Sequence, residues 1–148
     1  MAPIKLVKPI DPYLADLNDP SYHVRRKAIT QLAKTNNPDA IPYLIKALND
    51  PYDSVHNNAI KMLSNFKDPQ IMVGLVDHLL HQFAAPGYPV HFGRGKLVHD
   101  ELATYGEEAV IPLLLPGLQS DNRYVRSSTA WLLEQFWTMR AISATDVV

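Results

Sequence analysis

The chain has 148 residues, 47% of them hydrophobic, and a formal net charge of -1 at pH 7. This length and apolar content suffice for one domain spanning residues 1–148, while the scattered, balanced charges argue against binding nucleic acid or anionic lipid. The absence of cysteine excludes disulfides and thiolate metal sites, and the lack of a signal peptide or membrane-spanning segment predicts a cytoplasmic protein without membrane insertion.

Comparison of the chain with itself predicts a tandem repeat. The segment Leu17–Leu32 matches Leu48–Leu63, and the segment from 118 to 133 carries the same pattern again. The period is therefore roughly 31 residues, which is typical of arrays in which each repeat buries its apolar face against its neighbours. The matches define four units and a tail, at residues 7–37, 38–67, 68–106, 107–137 and 138–148.

The third unit is longer than the others. Leu32 matches Leu102, and their separation exceeds two periods by about eight positions. Because Leu48 still matches Leu79 at the normal period, the extra positions lie near residues 80–94. An insertion in one repeat of such an array is expected to project as a loop, often at the binding surface.

Each unit is predicted to form two helices. In the second unit, Ile41, Leu44 and Leu48 recur at helical spacing in the first half. Val55 and Leu63 continue an apolar stripe of the same kind in the second half. Asp-Pro pairs precede several of the helices, where an aspartate can cap a helix and a proline can begin one.

Three short motifs occur in these units. They are Ala-Ile-Pro-x-Leu in a first helix, an Asp-Pro turn, and Val-Arg-x-x-Ala in a second helix, as at residues 40–44, 19–20 and 24–28. Together they resemble the short HEAT-like repeats of the phycobilisome-lyase type, over about residues 11–137. The resemblance implies an all-α fold, a right-handed α-solenoid of about four helical pairs. Proteins with such repeats include bilin lyase subunits, phycobilisome degradation factors and general scaffolds.

One repeat position carries Arg25 in the first unit, His56 in the second and Arg126 in the fourth. The resemblance implies that this arginine binds the aspartate of the turn, which is Asp19 in the first unit. We therefore expect this position to form a ladder, meaning a row of arginine–aspartate contacts that stabilises the repeats. Ligand binding by these arginines is the alternative.

Histidines concentrate in and beside the third unit. His78 and His81 lie three positions apart on one predicted helix, a spacing that allows two ring nitrogens to chelate one metal ion. A third ligand would have to come from His91 or His99. A solvated helix face with unrelated histidines is the favoured interpretation, so no metal site and no cofactor are predicted.

The insertion is predicted to be a binding loop. Glycine and proline fix its backbone, and its side chains are of the types enriched at interfaces. These candidate binding residues are Tyr88, His91, Phe92 and Arg94. A neutral insertion without a function is the alternative.

The last predicted helix is apolar on more than its inward face. Trp131 and Phe136 stand where the first unit has Thr30 and Thr35. A terminal repeat normally carries a polar outer surface, so these two aromatic residues are predicted to form an exposed interface. The partner would be a second copy or a protein that continues the stack. The tail from residue 140 onward could instead cover this area.

The favoured function is a protein-binding scaffold or assembly module. No Gly-x-Ser-x-Gly motif, phosphate-binding glycine loop or pair of general acids is present, so no catalytic residue is predicted. The resemblance implies an alternative, a bilin-lyase-like or chromophore-handling subunit that would hold a tetrapyrrole with Tyr88, His91 and Arg94. A metal-binding regulator that uses the histidines is the third interpretation.

Overall fold

The computed structural model describes the backbone of residues 6–82 and 94–145 and the side chains of residues 6–80 and 96–137. Within these ranges the secondary structure consists of α-helices and short 3₁₀ helices, without strands. The α-helices are α1 Asp11–Leu14, α2 Tyr22–Lys34, α3 Ile41–Lys46, α4 Asp53–Leu63, α5 Pro69–Gln82, α6 Arg94–Ala103, α7 Glu107–Leu114 and α8 Arg123–Thr145. No helix in the described ranges combines the length and apolar character that crossing a bilayer requires.

The chain divides into two compact units, residues 1–71 and residues 72–148. The boundary falls in the first turn of α5, close to the predicted junction between the second and third repeats. Each compact unit therefore contains essentially two of the predicted repeats, and each repeat contains the two helices expected of it. That the two units form one domain stays a prediction.

The first helix of three repeats continues into a 3₁₀ turn, at Ala15–Asn18, Ala47–Asn49 and Leu115–Gln119. The next residue, Asp19, Asp50 or Ser120, is extended in each case. Its side-chain oxygen accepts the backbone N–H two residues later, at 2.8, 3.0 and 3.2 Å respectively. A short oxygen-bearing side chain stabilises such a turn. The expectation that Asp50 and Pro51 directly begin a helix is wrong, because they form this turn and α4 begins at Asp53.

The core of the first compact unit lies between α2, α3 and α4, which pack on one another. Ile29 and Leu32 of α2 and Leu44 of α3 are almost completely buried. Val55 and Leu63 of α4 complete this core and are fully buried. Their helical spacing explains why the apolar pattern of the sequence predicts these helices correctly.

In the second compact unit, α7 and its 3₁₀ turn pack on α8. Gly117 allows this close approach, since a Cβ at this position would overlap the Thr129 side chain and lie 2.9 Å from Cδ2 of Leu80. A second glycine, Gly106, has φ +88° and precedes the first residue of α7. That left-handed conformation is one that glycine adopts without strain, so it lets the chain turn from α6 into α7.

Candidate functional site

A guanidinium and a carboxylate join the first repeat to the second. Arg25 donates from Nε to Oδ2 of Asp50 at 2.7 Å and from Nη2 to Oδ1 of Asp50 at 3.1 Å. Its Nη1 donates to the backbone carbonyls of Asp19 at 2.7 Å and Pro20 at 3.1 Å. The two charged side chains are 12% and 9% exposed. One side chain therefore fixes two successive Asp-Pro turns against each other.

The predicted ladder position is structural, with one correction. The carboxylate that Arg25 binds belongs to Asp50 of the following repeat and not to Asp19. Oδ1 of Asp19 instead accepts the backbone N–H of Ser21 within its own turn. The hydrogen bond with Asp50 raises the pKa of Arg25 above its ordinary value, although burial acts in the opposite direction.

An open cavity of about 860 Å³ lies beside this ion pair, inside the first compact unit. The first repeat contributes the apolar side chains of Leu14 and Leu17 to its lining. The second repeat contributes Tyr43, Lys46 and Tyr52. We call this cavity the groove, defined by Leu14, Leu17, Tyr43, Lys46 and Tyr52 together with the Arg25–Asp50 pair. It offers apolar, aromatic and cationic groups within one concave surface.

The aromatic side of the groove is held by a stack of rings. The rings of Tyr22 and Tyr52 lie 4.6 Å apart with an interplanar angle of 14°. The guanidinium carbon of Arg25 lies 5.6 Å from the centroid of the Tyr52 ring. Tyr52 is nevertheless 50% exposed, and Tyr43 is 37% exposed. The Tyr52 ring, which is both stacked and exposed, is suited to contact a partner at low entropic cost.

The predicted binding loop falls largely outside the described residues. Tyr88, His91 and Phe92 are not described, and Arg94 begins α6 with a side chain that is not described. The role of these four residues in binding stays a prediction.

The structure describes two of the four histidines considered as metal ligands. His78 and His99 are both 8% exposed, so the expectation of a solvated helix face is wrong for these two residues. The side chains of His81 and His91 lie outside the described residues. The ring of His99 packs 5.0 Å from the ring of Phe136, and its Nδ1 lies 3.4 Å from a carboxylate oxygen of Asp100. Among the described side chains, no group of three histidine, cysteine, aspartate or glutamate residues could hold a metal ion.

The expectation that Phe136 is exposed is wrong. Phe136 is 3% exposed, because it continues the inward stripe of Val125 and Leu132 along α8 and packs against His99. Trp131 is half-buried and lies 6.3 Å from the same histidine ring. The exposed aromatic residue of this helix is Trp137, at 69%. An interface at this end of the chain stays a prediction, but Phe136 cannot be part of its exposed surface.

The groove is not among the candidate sites that the sequence pattern selects. Its tyrosines and its lysine lie at positions that do not belong to the repeated pattern, so self-comparison passes over them. One feature of the sequence could have indicated the groove. Tyr43 and Tyr52 lie on either side of the second Asp-Pro turn, which contains Asp50, the partner of Arg25.

Residues 10–86 match the family described as HEAT repeats, which is more than half of the chain. The chain therefore belongs to the HEAT-repeat family. This match and the helix pairs confirm the predicted all-α, α-solenoid class. No curated protein matches the sequence.

Nine chains of solved structures also match. One of them comes from the complex of CpcE and CpcF of phycocyanin lyase from Nostoc sp. PCC7120, with 28% sequence identity and a TM-score of 0.52. The match covers 86% of the present chain and 52% of that chain. The present chain thus spans about half the length of this structural relative, and the predicted resemblance to the phycobilisome-lyase type of repeat is confirmed.

Proposed function

We propose that this HEAT-repeat chain is an assembly module that holds a segment of another protein in the groove. The observation that carries the proposal is the pair of exposed tyrosines, Tyr43 and Tyr52, on a wall fixed by the Arg25–Asp50 ion pair. The similarity to a chain from a two-protein complex supports a function in protein association.

The lining of the groove indicates the chemistry of its occupant. Leu14 and Leu17 offer an apolar floor, and the tyrosine rings offer contact area of the kind enriched at interfaces. Lys46 is exposed and forms no ion pair among the described residues. The ladder guanidinium, by contrast, is already neutralised by Asp50. The segment bound is therefore one with an apolar or aromatic anchor and a carboxylate that reaches Lys46.

A photo-crosslinking experiment tests this proposal. A photoreactive phenylalanine analogue replaces Tyr43 in the groove, and the same analogue replaces exposed Lys61 on α4 as the matched control. We expect one protein from the native lysate to be crosslinked from position 43 and not from position 61. Adducts that are equal at the two positions would contradict the proposal.

The identified protein is then purified and its affinity is measured by calorimetry. Replacing Tyr52 by alanine or Lys46 by glutamate should weaken binding by about tenfold or more, because interface tyrosines and desolvated charges carry much of the affinity. Lys61→Glu makes the same charge change outside the groove and should leave the affinity unchanged. An affinity that survives both groove substitutions would remove the groove from the interface.

Handling of a phycobilin chromophore is the second candidate function. The volume of the groove, about 860 Å³, lies within the range of roughly 300–1,000 Å³ found for small-molecule sites. Tyr43 and Tyr52 could stack on a tetrapyrrole, and Lys46 could bind its carboxylates. The similarity to a chain of a phycocyanin lyase complex favours testing this chemistry.

Mixing the purified chain with a phycobilin and recording the absorption spectrum tests this candidate. A shifted and narrowed band that Lys46→Ala and Tyr43→Ala weaken, while Lys61→Ala does not, would support chromophore binding in the groove. A spectrum identical to that of the free bilin would exclude it. From the composition, we also propose that the protein is cytoplasmic.

A further inference from the structure

The contact between the first two repeats has two halves. One half lies within the first repeat, where Nη1 of Arg25 donates to the carbonyl of Asp19 at 2.7 Å. The other half comes from the following repeat, where the Asp50 carboxylate accepts two hydrogen bonds from the same guanidinium. An arginine at this repeat position therefore reaches forward to the turn of the next repeat.

Arg126 occupies the same position in the fourth repeat and makes the first half of this contact. Its Nη1 donates to the carbonyl of Ser120 at 2.7 Å, and Ser120 stands where Asp19 stands in the first repeat. Arg126 is exposed and has no carboxylate within ion-pair distance in the part of the chain that the structure describes. Among the described residues, no carboxylate takes the place beside Arg126 that Asp50 has beside Arg25.

Two leucines of the fourth repeat take repeat positions that, in the first repeat, face the second repeat. Leu115 and Leu118 correspond to Leu14 and Leu17, which line the groove between the first and second repeats. Leu115 is 47% exposed and Leu118 is 37% exposed. We call Leu115, Leu118 and Arg126 the tail face.

The first repeat carries the complementary groups. Asp19 has the same turn geometry as Asp50, with Oδ1 accepting a backbone N–H two residues later, at 2.8 Å and 3.0 Å respectively. No basic group lies within ion-pair distance of the Asp19 carboxylate among the described residues. Pro12 and Ala15 are exposed and take the repeat positions of Tyr43 and Lys46. We call Pro12, Ala15 and Asp19 the head face.

We propose that the tail face of one copy binds the head face of a second copy, with Arg126 of the first paired to Asp19 of the second. The pairing reproduces between copies the Arg25–Asp50 contact that joins two repeats within one copy. The small side chains of the head face leave room for Leu115 and Leu118, and the two faces carry opposite charges. This inference goes beyond the proposed function, because it concerns association with a second copy of the chain and not a segment of another protein held in the groove.

Because the two faces differ, the association is head-to-tail. Such an interface leaves one free head and one free tail after each step, so further copies can add unless a ring closes. The average mass in solution should therefore rise continuously with concentration and should not stop at a dimer. High salt should reduce it, since an exposed ion pair is screened.

Sedimentation velocity of the purified chain over a range of concentrations tests the proposal. We expect Arg126→Asp to weaken self-association by about tenfold or more, because it places two carboxylates opposite each other. Asp19→Asn should weaken it as well, while the amide oxygen still accepts the Ser21 N–H. The matched control is Lys61→Asp, which also replaces a cation by a carboxylate, at an exposed residue of α4 outside both faces, and should associate like the parent.

A mixing experiment separates a paired contact from a general effect of charge. Purified Arg126→Asp and Asp19→Arg proteins should each be deficient alone, and an equimolar mixture should recover association because the reversed charges meet. If Asp19→Arg fails to fold by circular dichroism, Asp19→Asn and Arg126→Asp together still decide the result. A parent that stays monomeric at every concentration, or a Lys61→Asp variant as deficient as Arg126→Asp, overturns the proposal. Either result leaves the groove experiment, which needs a different protein, unaffected.

Discussion

Replacing Gly117 by alanine tests how tightly the fourth repeat is packed. The added Cβ would overlap the Thr129 side chain and lie 2.9 Å from Cδ2 of Leu80. Thr129 is fully buried, and its hydroxyl donates to the carbonyl of Val125 at 2.6 Å. Rotating Thr129 out of the way would break that hydrogen bond. The conflict therefore has no inexpensive local solution.

The expected loss of stability follows from two opposing effects. Overpacking of a well-packed site costs about 1–3 kcal/mol. Replacing glycine by alanine reduces the freedom of the unfolded chain, which offsets about 0.4–1 kcal/mol where the native backbone suits alanine. Gly117 does not have positive φ, so this offset applies. The difference between the two effects is a net loss of at most about 2.6 kcal/mol, with a midpoint of about 1.3 kcal/mol.

The second repeat indicates which change should reverse this loss. Ala47 and Ala59 stand at the positions of Gly117 and Thr129, so the second repeat has two alanines where the fourth has a glycine and a threonine. The variant with both Gly117→Ala and Thr129→Ala should therefore recover most of the stability that Gly117→Ala loses. Residues in direct contact commonly show coupling of about 0.5–3 kcal/mol.

Urea unfolding followed by far-ultraviolet circular dichroism measures all four members of this cycle. The single Thr129→Ala variant serves as the control, since it removes the hydroxyl without adding a Cβ at position 117. A Gly117→Ala protein as stable as the parent would refute the packing argument. So would a double variant that is less stable than either single variant.

Three further results are expected. Leu63→Ala should lose about 2–5 kcal/mol in a urea titration, because Leu63 is fully buried in α4, and a change below about 1 kcal/mol would place it outside the core. Asp50→Asn should lower the melting temperature more than Asp53→Asn at an exposed position, because it leaves the Arg25 guanidinium without its charged partner, and equal effects would contradict the ladder. Burial raises the pKa of Glu101, so the folded state holds its proton more tightly and the parent loses stability as pH rises through the folded pKa. Glu101→Gln should therefore melt above the parent near neutral pH, with the difference vanishing below about pH 4.3, the ordinary pKa of glutamate; a constant difference at all pH values would count against this argument.

The helices and their repeat can be predicted from the sequence because burial is periodic along each helix. Spacing alone places Leu44, Leu48 and Leu63 inward, and each is fully buried. The turns are also predictable, since Asp19 and Asp50 are residue types whose side chains bond to the backbone two positions later. The helices and turns depend on interactions between residues close together in the sequence, so the residue types alone indicate them.

The direction in which side chains point between repeats cannot be predicted in this way. The sequence places Arg25 in a repeat position but does not tell whether it reaches the turn of its own repeat or of the next one. The groove could not be predicted for the same reason, because its two walls come from different repeats. Such contacts depend on how helices are set against each other, which the period does not specify.

The burial of Phe136 could have been predicted from the spacing of apolar residues within α8 itself. Aligning α8 with α2 places Phe136 opposite Thr35 and suggests an added outward residue. The buried residues of α8 follow a different stripe, in which Val125, Leu132 and Phe136 are spaced by seven and four positions. That spacing alone predicts an inward Phe136. Thr35 is itself 1% exposed, so this repeat position is buried in both helices, and the polar character of threonine is what suggests an outward residue.

The residues of the fourth repeat also set the strength expected of head-to-tail association. A terminal repeat gains solubility when polar or small residues replace the apolar ones that a following repeat would cover. Ala130 and Glu134 make that replacement at the positions of Ile29 and Ala33, and both are exposed. Leu115 and Leu118 have not been replaced. The tail face is therefore partly capped, which favours weak, concentration-dependent stacking of folded copies over an obligate oligomer whose chains cannot fold alone.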